Sequence, residues 1–144
     1  MQIRKLEKED ILKVSEIERE AFGDRAWAES LFLAELYDKD KHYFVAYEND
    51  TLIGYGGFAH ILSEAHIMNI AVASAHRKKG VGKEILSAIL KEAKRLSITA
   101  VTLEVSETNG TAISFYKSFG FTSAGLRPNY YKKGEGALIL WLEL

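Results

Sequence analysis

His76–Leu90 reads HRKKGVGKEILSAIL, a cluster of cationic side chains and two glycines set directly before apolar residues at helical spacing. Val81, Ile85, Ile89 and Ala93, flanked by Leu86, Leu90 and Leu96, form a wide apolar stripe and predict a helix that begins at the glycines. A helix N-terminus carries unpaired backbone N–H groups and the positive end of the helix dipole, so it attracts an anion. Gly80 and Gly82 allow that anion close to the main chain, while Arg77, Lys78, Lys79 and Lys83 supply charge. The plainer alternative is a glycine helix start with a solvated basic face. Two nucleotide motifs fail on this stretch. The loop GxxxxGK followed by Ser or Thr needs glycine at 77 and a hydroxyl at 84, where Arg77 and Glu84 stand. A dinucleotide fingerprint starting at Gly80 needs a small residue at 85, where Ile85 stands.

Outward from this corner, the patterning alternates between helical and strand periods. QIRKL near the start predicts an edge strand, and Ile11, Val14 and Ile17 predict a helix over residues 9–21, with Glu9 and Asp10 near its positive end. WAESLFLAELYD, residues 27–38, predicts a second helix. HYFVAYEN, TLIGYGGFAHIL and AHIMNIAVAS predict three antiparallel strands joined by short turns. After the glycine-led helix come a strand, TAVTLEVS, a fourth helix ending at Gly120, and one or two strands finishing in GALILWLEL, with the one proline, Pro128, in a loop before the last strand. The expected class is α+β: a mixed, mostly antiparallel sheet with helices on both faces. A right-handed crossover through the third helix makes the fourth and fifth strands parallel neighbours, and a splay between them opens a cleft at their C-terminal ends.

Composition bounds what such a cleft does. At 144 residues, 47% apolar and 27% charged, the chain fits one domain spanning 1–144. A net charge of −1 gives no global attraction to nucleic acid. The absence of cysteine excludes disulfides, a thiol nucleophile and thiolate zinc sites, and His42, His60, His66 and His76 show no metal-ligand spacing. No run approaches the ~20 apolar residues of a membrane span, and MQIRKLEKED lacks a signal core. The expectation is a cytoplasmic protein with no metal, no membrane contact and no direct nucleic-acid partner, monomeric or weakly dimeric.

RKKGVG between a strand and a helix resembles the acyl-coenzyme A loop, Gln/Arg-x-x-Gly-x-Gly/Ala, of the Gcn5-related N-acetyltransferase (GNAT) superfamily, and the element order resembles that fold over nearly the whole chain. The resemblance implies that Arg77, Lys78, Lys79, Gly80, Val81 and Gly82 surround the pyrophosphate of acetyl-CoA, and that Ile70, Ala71 and Val72 pair with its pantetheine arm. LEVSETNGTAISFYKSFGF is similar to the RimI-type branch, which acetylates ribosomal-protein N-termini; the matching residues are Glu104, Asn109, Ala112, Ile113, Tyr116, Gly120 and Phe121. RPNYY, residues 127–131, also resembles that branch. Ser106, Gly136 after Glu135, and the missing proline in FGDRAWAES depart from it on the acceptor side.

The residues can be read without the family. Val101, Leu103 and Val105 share one strand face, so Glu104 points the other way, near the strand's C-terminal end. A carboxylate there can take a proton from an amine; equally, it is a solvated residue or an ion-pair partner. Tyr116 reads as a core aromatic and Asn109 as a helix cap; the resemblance implies that Tyr116 is the acid toward the cofactor sulfur and that Asn109 also contacts the cofactor. A peptide α-amine, with a pKa of roughly 7.7–8, is an easier substrate than lysine at about 10.4. Trp27, Tyr130 and Tyr131 are candidate walls of a peptide groove. By resemblance, the acceptor is a protein N-terminus, an alanine on a small-subunit ribosomal protein; a small amine or lysine acceptor, or a non-catalytic acyl-CoA sensor, are the alternatives.

Overall fold

The computed structural model describes all 144 residues. In chain order the elements are β1 (Gln2–Lys5), α1 (Ile11–Phe22), α2 (Glu29–Leu36), β2 (Lys41–Glu48), β3 (Thr51–Ile61), β4 (Glu64–Val72), α3 (Val81–Arg95), β5 (Ala100–Ser106), α4 (Gly110–Ser118), β6 (Thr122–Lys132) and β7 (Glu135–Glu143). One seven-stranded sheet has the order β1-β2-β3-β4-β5-β7-β6, antiparallel throughout except for the β4–β5 pair.

Strand alternation sorts side chains onto the two faces. Tyr43, Val45 and Tyr55 meet Ile11, Val14, Ile17 and Phe32 of α1 and α2, while Phe44, Ala46 and Ile53 meet α3 on the opposite face. The α3 stripe predicted from sequence is buried at Val81, Ile85, Leu86, Ile89 and Ala93, and each of its larger side chains contributes about 1.5–3 kcal/mol by leaving water. Close packing here depends on β3: a Cβ at Gly56 would stand 2.6 Å from Ile85 Cγ2. On the other face, Asp10 is buried and accepts from both guanidinium nitrogens of Arg4 (2.7 and 2.9 Å), from the Tyr47 hydroxyl (2.6 Å) and from the Glu7 amide (2.8 Å). It therefore does more than complement a helix dipole: it fastens the start of α1 to β1 and β2.

Three departures from the sequence expectation have physical causes. The second helix is shorter than residues 27–38, because Ala28 is extended and caps Glu29–Leu36. The first begins at Ile11, after a 3-10 turn over Lys8–Asp10. Pro128 lies inside β6, where a loop was expected. β6 is the sheet edge, and its ladder jumps from Arg127↔Ala137 to Lys132↔Glu135, so the missing N–H of Pro128 deprives no neighbour of a bond.

The crossover through α3 produces the parting that sequence predicted. β4 and β5 pair only at Glu64↔Ala100, Ala65↔Val101 and His66↔Thr102; beyond these, Ile67–Val72 has no β5 partner. On its other edge β4 pairs with β3, but the register skips from Gly57↔Asn69 to Phe58↔Ile67, leaving Met68 as an extra, bulged residue at the parting. No helix is long and apolar enough to cross a membrane.

Candidate active site

A cleft of about 780 Å³ opens where β4 and β5 separate. It runs across the α1/α2 side of the sheet over β5 and β7, and it reaches Tyr116 of α4. Glu104 lines it as the alternation requires: Val101, Leu103 and Val105 belong to the α3-side core, the last two also bordering the cleft, while Thr102 and Glu104 line it from outside that core. The Thr102 hydroxyl is spent on the Leu140 carbonyl (2.8 Å). Glu104 is ionically engaged only by Arg127, with Nη2 3.7 Å from Oε1, so its oxygens are open to a ligand. Such a carboxylate can accept a proton from an amine brought into the cleft.

Tyr116 is 8% exposed, its ring edge-on to Phe115 (5.1 Å) and Phe121 (5.6 Å). Its hydroxyl takes no part in the side-chain hydrogen bonds and is not a buried orphan, so it opens onto the cleft that the residue lines. Burial pushes this hydroxyl well above the ordinary tyrosine value, so it is a neutral O–H donor at physiological pH. Asn109, at the mouth, caps α4 by accepting from the Ala112 amide (3.1 Å).

The basic corner is a left-handed turn leading into α3. Lys78 has φ +61° and Gly80 φ +84°, and a Cβ placed on Gly80 would meet nothing within 4 Å. The first helical hydrogen bond runs from the Glu84 amide to the Gly80 carbonyl (3.1 Å), which leaves the N–H groups of Val81, Gly82 and Lys83 pointing out of the helix end. Lys78 and Lys79 are exposed. Arg77 is placed differently: its Nε donates to the Val72 carbonyl (3.0 Å), its Nη2 stands 3.8 Å from Glu20, and its amide bonds the Ser74 carbonyl (3.4 Å). It ties the turn to the end of β4 instead of presenting a free amide. Ile70 lines the cleft, Ala71 is buried against the α1/α2 core, and Val72 packs on the α3 side.

The candidate acceptor walls come together on one side. Trp27 packs on Phe32 (5.4 Å), and Tyr130 stands perpendicular to Tyr131 (5.1 Å). The tyrosine pair falls where the β6–β7 ladder is interrupted, between Arg127↔Ala137 and Lys132↔Glu135. Asn129, at φ +56°, holds this segment by accepting from the Gly134 amide (2.7 Å).

Comparison with known proteins decides the family. The model of the acetyltransferase (GNAT) family matches residues 6–121. The chain belongs to that family. It is 33% identical over 132 residues to the N-alpha-acetyltransferase RimI of Mycobacterium tuberculosis (strain ATCC 25618 / H37Rv), covering 88% of this chain and 82% of that one. It is 28% identical to the ribosomal protein bS18-alanine N-acetyltransferase of Escherichia coli (strain K12), covering 93% and 89%. The crystal structure of the ribosomal-protein-S18-alanine N-acetyltransferase from Escherichia coli superposes with a TM-score of 0.90 at 29% identity, covering 99% of this chain and 92% of that one. This GNAT chain is an acetyl-CoA-dependent N-acetyltransferase.

Arg25, Glu18 and Asn69 line the cleft of this GNAT enzyme, and Glu135 is bonded to two of the lining residues; none was legible as a site residue in the sequence. Arg25 joins Glu135 (2.9 Å) and lies 4.8 Å over the Tyr131 ring. Glu135 also accepts from the Ser106 hydroxyl (2.5 Å), and the Arg25 and Ser106 bonds hold its carboxyl down to about 2. Contacts between residues 110 positions apart leave no local sequence signal. Glu18 and Asn69 complete the set. Glu18 did leave a trace: Ile11, Val14, Ser15 and Glu18 share the i, i+3, i+4, i+7 stripe, which puts a carboxylate on the buried face of α1.

Proposed function

We propose that this acetyltransferase modifies the N-terminal α-amine of a protein, with an alanine-first ribosomal protein as its acceptor. The observation that carries the reading is that Glu104 and Tyr116, on different elements, face one cleft at the parting of β4 and β5. The names of the relatives support the acceptor class.

The chain's own features fit acetyl-CoA. The left-handed glycine turn, with open space at Gly80 and outward N–H groups at Val81, Gly82 and Lys83, suits a diphosphate, with Lys78 and Lys79 as counter-charges. The edge of β4 at Ile70–Val72, free on the β5 side, suits an amide-bearing arm, and Asn109 stands at the mouth of the same parting. Bound there, acetyl-CoA supplies an electrophilic thioester and a thiolate leaving group. Glu104 takes the proton of the attacking α-amine, directly or through water. N–H groups of the bulged β4 segment stabilise the charge that develops on the carbonyl oxygen, a contribution of roughly 3 kcal/mol per donor. Tyr116 donates to the departing sulfur. Trp27, Tyr130 and Tyr131 flank the peptide.

The test is to incubate the enzyme with acetyl-CoA and peptides differing in their first residue, locating the added acetyl group by mass spectrometry. Acetylation of the free α-amine, fastest with alanine first, is expected. Product confined to a lysine of an N-terminally blocked peptide overturns the reading.

The turn has its own expected result. Asparagine tolerates the left-handed region, so Gly80→Asn is expected to keep the melting temperature within about 3 °C, a shift that corresponds to about 1 kcal/mol for a domain of this size. Its side chain enters the space assigned to the diphosphate, so acetyl-CoA affinity measured by calorimetry is expected to fall at least ~10-fold, about 1.4 kcal/mol.

A further inference from the structure

Glu18 is 1% exposed, yet it has no cationic partner among the ion pairs of the protein. A buried carboxylate without a counter-ion persists only where donors replace the lost water. Three do so here. The Tyr55 hydroxyl donates to Oε1, the Asn69 side-chain amide lies 3.1 Å from Oε1 and 3.4 Å from Oε2, and the backbone N–H of Trp27 donates to Oε2 at 2.8 Å. These contacts fill roughly the four lone-pair positions a carboxylate offers. Glu18 therefore lines the cleft without an oxygen free to serve as a second base beside Glu104.

Its donors have a pattern. Tyr55 belongs to β3, Asn69 to β4 beside the Met68 bulge, and Trp27 to the segment between α1 and α2. One α1 carboxylate thus fixes the distance between a candidate acceptor wall and the strand proposed to run along the thioester. The bond to Trp27 goes to its main chain, so it sets the path of the segment whatever the indole does.

We infer that Glu18 is a positioning residue, which holds the Trp27 wall in register with the bulged segment of β4 and so sets the affinity for the acceptor rather than for acetyl-CoA. The inference rests on the proposed acceptor reading. Burial pushes the Glu18 carboxyl above the ordinary carboxylate range while the Trp27 and Asn69 donors pull it back, in keeping with a site closed to solvent.

The test uses a Trp141→Phe background, which leaves Trp27 as the sole tryptophan. Glu18→Met keeps the bulk and removes both acceptor oxygens. Tyr55→Phe keeps the ring packed on Phe32 (5.6 Å) and removes one donor from a residue that does not line the cleft. Acrylamide quenching of Trp27 is expected to rise at least twofold in Glu18→Met and less in Tyr55→Phe. The peptide KM is expected to rise about tenfold and threefold respectively, with the acetyl-CoA KM within twofold of the parent. Adding Trp27→Ala to Glu18→Met should raise the peptide KM no further than Trp27→Ala does alone, because both changes act through one wall. If Glu18→Met fails to fold, Tyr55→Phe decides alone. Unchanged quenching overturns the inference whatever the acceptor proves to be; so does raised quenching with an unchanged peptide KM, or additive effects in the double variant. A parent enzyme that acetylates no peptide N-terminus overturns the proposed function instead, and the quenching still reports on Glu18.

Discussion

Glu104→Gln is expected to lower kcat/KM for a peptide acceptor by about 10²–10⁴-fold at neutral pH, the range a positioned general base contributes, and to leave acetyl-CoA affinity within twofold. The amide cannot take a proton from the attacking amine. It keeps the length and polarity of the side chain, and the contact it forfeits with Arg127 is long and half exposed, so little stability goes with it. The deficit has a characteristic pH dependence. An α-amine titrates near 7.7–8, so above that range most acceptor is already neutral and less depends on the base. The ratio of parent to variant rates should therefore shrink between about pH 7 and 9. Initial rates across that range, with calorimetry for acetyl-CoA, check both parts. A variant as fast as the parent removes Glu104 from the mechanism.

Tyr116→Phe is expected to reduce kcat by about 10²-fold, the cost typical of one well-aimed donor lost from a developing charge, without loss of folding. Its hydroxyl opens onto the cleft with no protein partner to leave stranded, and the ring contacts with Phe115 and Phe121 remain. The melting temperature should hold or rise slightly. Because burial raises the ionisation of this phenol, the neutral donor persists across the working pH range. The corresponding contribution to stability is complete below the ordinary tyrosine value near 10 and is lost as pH climbs from there through the higher folded value. Stopped-flow single turnovers separate the chemical step from product release; an unchanged single-turnover rate reduces Tyr116 to packing.

The sequence carried the α3 stripe and the orientation of Glu104, because each is a local periodicity of 3.6 or 2 residues imposed by one buried face, and it carried the exposed turn before α3 through its glycines. It carried the β4–β5 crossover through the handedness of such connections. It did not carry β6, whose residues are almost all exposed and so show no alternation, and whose proline argues against a strand anywhere except an edge. Nor did it show that β7 inserts between β5 and β6, since strand order depends on contacts far apart in the chain. The Met68 bulge left a faint signal in the Gly56–Gly57 pair across from it. Glu18 is the instructive case: the stripe read as Ile11, Val14 and Ile17 passed it over, because a carboxylate on a buried face looks like an interruption of the pattern until its donors are known.

The three-residue seam between β4 and β5 also has a mechanical meaning. Backbone bonds join the β1–β4 half of the sheet to the β5–β7–β6 half at little more than that short stretch, so amides bordering it should exchange with deuterium sooner than those of the long antiparallel ladders. A ligand arm lodged in the gap acts as a splint, replacing the rungs the protein leaves out and stiffening the two halves into one body.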